Sequence, residues 1–256
     1  GSDRYILNYI DGLYGVGLLV FASKFTQILA TALTKPSRNA LNPLTLEMEK
    51  SPESIKDFLC NSSVYFLVIA CLLWLGLSVF SKEIVMIMAQ DKEYWASWPI
   101  VPIYALGTII TGLNDFFNKG MVMKKKSLLI LMTYTLGLLS NVVFNFLLIP
   151  FMGAIGAALA TTFSLVIFSI ATLYFSYKTY DLTFDHVKMM KIILFTTVLI
   201  ILGISCNWLD IIPAIAFKCV IVSLYPLMVF RLKFINKDKL DQFEKYTIVK
   251  RIRTIL

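Results

Sequence analysis

The sequence contains one histidine, His186, and four cysteines, Cys60, Cys71, Cys206 and Cys219, which lie apart in apolar surroundings with no CxxC spacing. Neither a zinc site nor a dithiol redox centre can be assembled from them. There is no GxxxxGK[ST] stretch and no loop long enough to fold as a nucleotide-binding domain, which excludes ATP-driven transport within this chain. Charge is scarce: Asp, Glu, Lys and Arg make up 16% of the 256 residues, where soluble domains carry about 25%. Apolar residues take their place at 58%, so a soluble enzyme domain is excluded. The balance is basic, with 24 Lys and Arg against 16 Asp and Glu, yet a nucleic-acid partner is not expected of so apolar a chain.

Runs long enough to cross a bilayer extend over Leu13–Leu33, Leu59–Phe80, Trp98–Phe117, Leu128–Ile149, Ala154–Tyr177, Ile192–Trp208 and Ile211–Phe230. They predict an all-α, polytopic membrane helix bundle with seven complete spans. A shorter apolar segment, Asp3–Ile10, reads either as the end of a further helix whose start is missing or as an interfacial anchor after a Gly1-Ser2 scar.

Lys and Arg cluster in alternate connections: Lys35 to Lys56, Lys119 to Lys126, Lys178 to Lys191, and Arg231 onward. The intervening connections hold only Arg4, Lys82 and Lys92, while Lys24 and Lys218 fall inside spans. The positive-inside rule then puts the C-terminus in the cytosol and the start of the chain outside. The tail after Phe230 mixes Leu240, Phe243 and Tyr246 with lysines, and reads as a stop signal followed by a solvated helix, or as a segment lying on anionic lipid.

A cation at mid-depth costs roughly 2.5–3.5 kcal/mol on insertion scales, so the spacing of polar residues inside spans carries information. Three spans gather theirs at intervals of three and four, which confines them to one helix face. The first carries Lys24, Gln27, Thr31, Thr34 and Arg38; the third Tyr104, Thr108, Thr111, Asp115 and Asn118; the fourth Tyr134, Gly137, Asn141 and Asn145. Interhelical hydrogen bonding explains such stripes in a tight bundle, and for the two asparagines it stands level with a cavity. For Lys24 continuing into Arg38 a water-filled cavity is the better reading, with Asp115 the nearest candidate counter-ion.

Lys218, alone near the outer end of the last span, is expected to snorkel. Gly153, Gly156, Ala157, Ala160 and Ser164 form a small-residue packing face. Pro99 and Pro102 kink or begin the third span, and Pro150 is placed in a short outer loop. Glu47, Glu49, Glu53 and Asp57, mixed with Lys50 and Lys56, read as a solvated helical extension rather than acid–base machinery. A transporter or a non-catalytic membrane scaffold remains, with no enzyme activity.

The opening SDRYILNYIDGLYGVGLLVFASKFTQIL and the run NVVFNFLLIPFMGAIGAALATTFS after the basic loop NKGMVMKKKS resemble the polysaccharide-exporting branch of the multidrug/oligosaccharidyl-lipid/polysaccharide (MOP) flippase superfamily. The resemblance covers nearly the whole chain but only the C-terminal half of such a protein. It implies a second lobe, with residues 1–12 ending a truncated helix, 13–177 forming the C-terminal lobe, 178–231 an additional helix pair and 232–256 a basic cytosolic tail. It also implies the missing N-terminal lobe as partner, alongside membrane lipids, in a bacterial inner membrane.

The implied activity is translocation of undecaprenyl-pyrophosphate-linked oligosaccharide, for O-antigen or capsule synthesis, by alternating access through a cationic cavity. The resemblance implies Lys24 as the cavity cation, with Gln27 and Thr31 beside it, Arg38 at the cytosolic mouth, and Asn141 and Asn145 as the family's asparagine pair; Asp115 and Asn118 complete the candidate set. No cofactor or metal is implied, and sodium or proton coupling stays unassigned. A drug/cation antiporter of the same superfamily and a half-length scaffold are the rival expectations.

Overall fold

A computed structural model of the chain describes residues 2–47, 52–180, 182–206 and 211–231. The basic tail, Glu49 in the acidic stretch and Trp208 at the end of the sixth run lie outside the described residues. Within them the chain is a bundle of helices in the order α1 (Ser2–Leu29), a π-helical turn (Ala30–Thr34), α2 (Lys35–Glu47), α3 (Pro52–Val79), α4 (Ser81–Met88), a 3-10 turn (Lys92–Ser97), α5 (Ile100–Phe117), α6 (Lys119–Met123), α7 (Ser127–Tyr180), α8 (His186–Ser205) and α9 (Ile211–Arg231). Five helical stretches among the described residues are long and apolar enough to cross a membrane, and a shorter apolar one covers Pro213–Leu227. The protein is a multi-pass, all-helical membrane protein.

Two of those stretches are folded by a glycine. At 54 residues α7 is far longer than a bilayer needs, and it breaks at Gly153 (φ 52°, ψ −129°), a backbone region closed to other residues. Its arms then pack antiparallel. Tyr134 meets Phe168, Phe144 meets Phe163, and Asn141 donates from Nδ2 to Ser164 Oγ at 3.2 Å. Near the bend, Gly156 sits so close to the Leu148 carbonyl that a Cβ would lie 2.3 Å from that oxygen. Gly12 (φ 73°, ψ −169°) breaks α1 in the same way, setting the 2–11 arm apart from the 13–29 arm.

The predicted spans therefore correspond to the second arm of α1, α3, α5, the two arms of α7, α8 and α9, while residues 2–11 are helical as the short opening segment predicts. Pro150 departs from expectation, since it lies within the helical run of α7 and the turn is made by Gly153. Pro99 caps α5 and Pro102 occupies its first turn, so both begin the helix. The short helix α4 and the 3-10 turn, both beyond the hydrophobic runs, have no counterpart in the sequence reading.

α5 is the shared wall of the bundle. On one side Ile109, Leu113, Phe116 and Phe117 join a core with α3, α8 and α9, around Leu67, Leu75, Ile192 and Tyr225. On the other, Ile100 and Val101 join a second core with α1 and α7, around Leu7, Leu19, Ala22 and Ala157. This placement leaves the polar stripe of α5 facing the cleft between α1, α2 and α7. Lys218 corrects its expectation: it is fully buried and ion-paired with Glu83 on α4 rather than extended to an interface. A buried ammonium needs a charged partner, and α4 brings one across from the loop end of α3.

Candidate functional site

Two cavities border the stripes, one between α2, α5 and α7 and the other against α1's second arm. The first lies toward the basic end and encloses about 300 Å³. Arg38 donates from Nε to Asp115 Oδ2 at 2.9 Å, tying α2 to α5. Thr111, Asn114 and Asn118 extend the α5 wall, while Tyr134, Gly137, Ser164 and Phe168 form the α7 wall. Gly137 eases this approach, because a Cβ there would sit a tight 3.0 Å from Phe168. Just beyond the cavity the buried Lys119 donates to Asn42 Oδ1, a second link between α2 and the basic end of α5.

The second cavity encloses about 470 Å³ and lies between α1 and the connection after α4, with Lys24, Val20 and Phe21 facing Gln90, Asp91 and Tyr94. Tyr94 closes it by packing on Phe21, with ring centroids 5.2 Å apart, and by resting against Gly17. Tyr14 donates to the Glu93 carbonyl oxygen at 3.3 Å, fastening the same connection to the start of the arm. Among the described residues Lys24 makes no hydrogen bond or ion pair. Gln27 and Thr31 are exposed on the same face.

The structure thus separates residues that the first stripe places on one line. Lys24 and Arg38 are fourteen residues apart along a helical path, about 20 Å, and each borders its own cavity. Asp115, the expected counter-ion, pairs with Arg38 and not with Lys24. The π-helical turn explains why Thr34 is buried although it shares the α-helical spacing of Lys24, Gln27 and Thr31: the wider turn changes the phase of all that follows.

Asn118 lines the Arg38 cavity with Asp115. Asn141 and Asn145 lie deeper along α7, where Asn145 Nδ2 donates to Asn141 Oδ1 at 3.0 Å and Asn145 is completely buried. Tyr104 donates to Asp3 at 3.3 Å, which adds an acid from the opening segment to the neighbourhood of the α5 stripe. Asn114 is a functional candidate that only the structure brings out, although its place three residues after Thr111 and four before Asn118 puts it within the same spacing. Lys119 and Asn42 carried no such local signal, since their pairing joins distant segments.

No protein-family model and no curated protein sequence matches this chain. Among solved structures, the fold is similar to that of the lipid II flippase MurJ in its inward closed conformation, with a TM-score of 0.66 and 18% identity. The match covers 90% of this chain and 51% of the flippase, so the chain spans about half the length of the structure it resembles.

Proposed function

We propose that this chain is the C-terminal lobe of a flippase for lipid-linked oligosaccharides, moving undecaprenyl-pyrophosphate-linked units across a bacterial inner membrane for surface polysaccharide synthesis. The likeness to half of a lipid II flippase carries this reading. The chemistry of the α1 face supports it. Lys24, Gln27 and Thr31 are exposed, and a cation at that depth turned to hydrocarbon would cost roughly 2.5–3.5 kcal/mol. A face of this kind belongs on a wet cavity shared with a second lobe. Among the described residues this ammonium makes no ion pair, although Asp91 borders the same cavity, and it is open to a pyrophosphate, whose charge it would meet in a partly dehydrated space where Coulomb attraction is stronger than in water.

In this reading Arg38, held against Asp115, stands at the cytosolic mouth, and Lys24 lies about 20 Å further along the same path. The two cations are too far apart to hold one pyrophosphate together, so they serve as successive stations. Loading occurs near Arg38, and release follows from Lys24 after the lobes rock. Asn141, bonded across the bend to Ser164 and along its own arm to Asn145, keeps the α7 arms in register beside the path. The test is Lys24→Ala in the complete protein, with surface polysaccharide and protein level measured in the same cells. Loss of polysaccharide at normal protein level is expected; unchanged output would rule out Lys24 as a substrate contact.

A further inference from the structure

Asn114 is a costly residue to keep where it is. Its side chain is only 4% exposed, and neither Nδ2 nor Oδ1 has a protein partner among the described residues. A buried amide left unsatisfied costs about 1–3 kcal/mol, which a packing role would not require, since Leu or Met would fill the same volume. One turn along, Asn118 Oδ1 is likewise buried without a partner. Both residues border the Arg38 cavity.

The remaining walls decide which ligand fits. Arg38 and Asp115 neutralise each other at 2.9 Å. A metal ion is disfavoured by the Arg38 guanidinium and the nearby Lys119, and a free anion by the Asp115 carboxylate. The matching ligand is uncharged and offers several donors and acceptors close together. Opposite the amides, Tyr134 and Phe168 lie with ring centroids 4.8 Å apart, and Tyr134 is 57% exposed. An aromatic wall facing a few fixed polar groups suits a flat ligand with an apolar face and a polar edge. A volume of about 300 Å³ is ample for one sugar ring.

We infer that this cavity is a saccharide subsite, in which Asn114 and Asn118 hydrogen-bond the hydroxyl or acetamido groups of one sugar ring while Tyr134 packs against its C–H face. The inference rests on the proposed handling of a lipid-linked saccharide and adds where its sugar is held.

The test uses the full chain in phosphatidylcholine nanodiscs, so that no sugar-based detergent competes. N-acetylglucosamine is the probe, read by saturation-transfer NMR, with inorganic phosphate followed separately. Wild-type protein should saturate the sugar ring protons, and Asn114→Leu should reduce the transfer at least about fivefold. Tyr134→Ala, at an exposed position that does not endanger folding, should reduce it about threefold. Absence of transfer in the wild type, or equal transfer in the wild type and Tyr134→Ala, would overturn the subsite, as would phosphate binding with no sugar response. The Lys24 experiment reads export and not binding, so failure of the subsite alone leaves the Lys24 result intact, and failure of the transport reading shows first at Lys24.

Discussion

At the scale of single residues, two ion pairs of the same elementary chemistry have opposite expected energetics. Arg38 and Asp115 are 49% and 21% exposed at the side chain, so water already solvates much of the pair. Such pairs contribute about 0–1 kcal/mol, and Arg38→Ala should leave thermal unfolding in detergent nearly unchanged while reducing transport. Lys218 is fully buried against Glu83. Glu83→Ala takes the carboxylate from a buried ammonium and should cost about 3–5 kcal/mol, whereas Lys218→Met with Glu83→Gln should recover most of that loss. Denaturation midpoints of the single and double variants check both statements. A Glu83→Ala protein as stable as wild type would show the ammonium to be held by its other contacts or by water.

Glycines and one wide turn fix the geometry at the scale of elements. Gly153 and Gly12 both have positive φ, but their surroundings differ. A Cβ on Gly153 would lie 2.8 Å from an Asp11 carboxylate oxygen, whereas one on Gly12 would meet nothing within 4 Å. Gly12→Ala should therefore cost only backbone strain, about 1–3 kcal/mol, and Gly153→Ala at least as much at the same temperature, with any excess removed by adding Asp11→Ala. The π-helical turn at Ala30–Thr34 sets the phase of α2. Deleting Ala32, the extra residue that the wide turn accommodates, should restore α-helical geometry with Arg38 still on the face of Asp115, whereas inserting one alanine after Thr34 should rotate Arg38 by about 100° away from it. With the four native cysteines replaced, Arg38→Cys and Asp115→Cys should be joined readily by a short bifunctional maleimide in the parent protein and the deletion variant and slowly in the insertion variant. Equal rates in all three would mean that the turn does not hold the register.

These elements also mark how far the sequence could be read. Span positions follow from continuous apolar runs, and the polar stripes of α5 and α7 from their spacing; Thr111, Asp115, Asn118, Tyr134 and Gly137 do border one cavity. The stripe on α1 reads as one line because a π turn leaves no trace in composition. Lys218 reads as a snorkelling residue because α4, which delivers Glu83, lies beyond the hydrophobic runs. The Lys119–Asn42 bond joins residues far apart in the chain, and local periodicity has no access to such pairings.

For the molecule as a whole, the two ends are chemically distinct. One gathers Arg38, Lys119 and Lys124, the last with its ammonium 5.4 Å from the Tyr180 ring centroid and joined there by Lys56 on the same ring. The other is closed by Tyr14, Glu93 and Tyr94 above the Lys24 cavity. If the basic end faces the cytosol, as the lysine distribution predicts, then Tyr94 belongs to the outer surface and Lys126 to the inner one. In a background lacking the native cysteines, Tyr94→Cys should react with a membrane-impermeant maleimide on intact cells, and Lys126→Cys only after permeabilisation. The reverse pattern would invert the proposed path, making Lys24 the residue nearer the loading side. Substrate would then have to pass the Tyr94 closure before meeting any cation, which is the wrong order for capture by charge, so this labelling bears directly on the direction of transport.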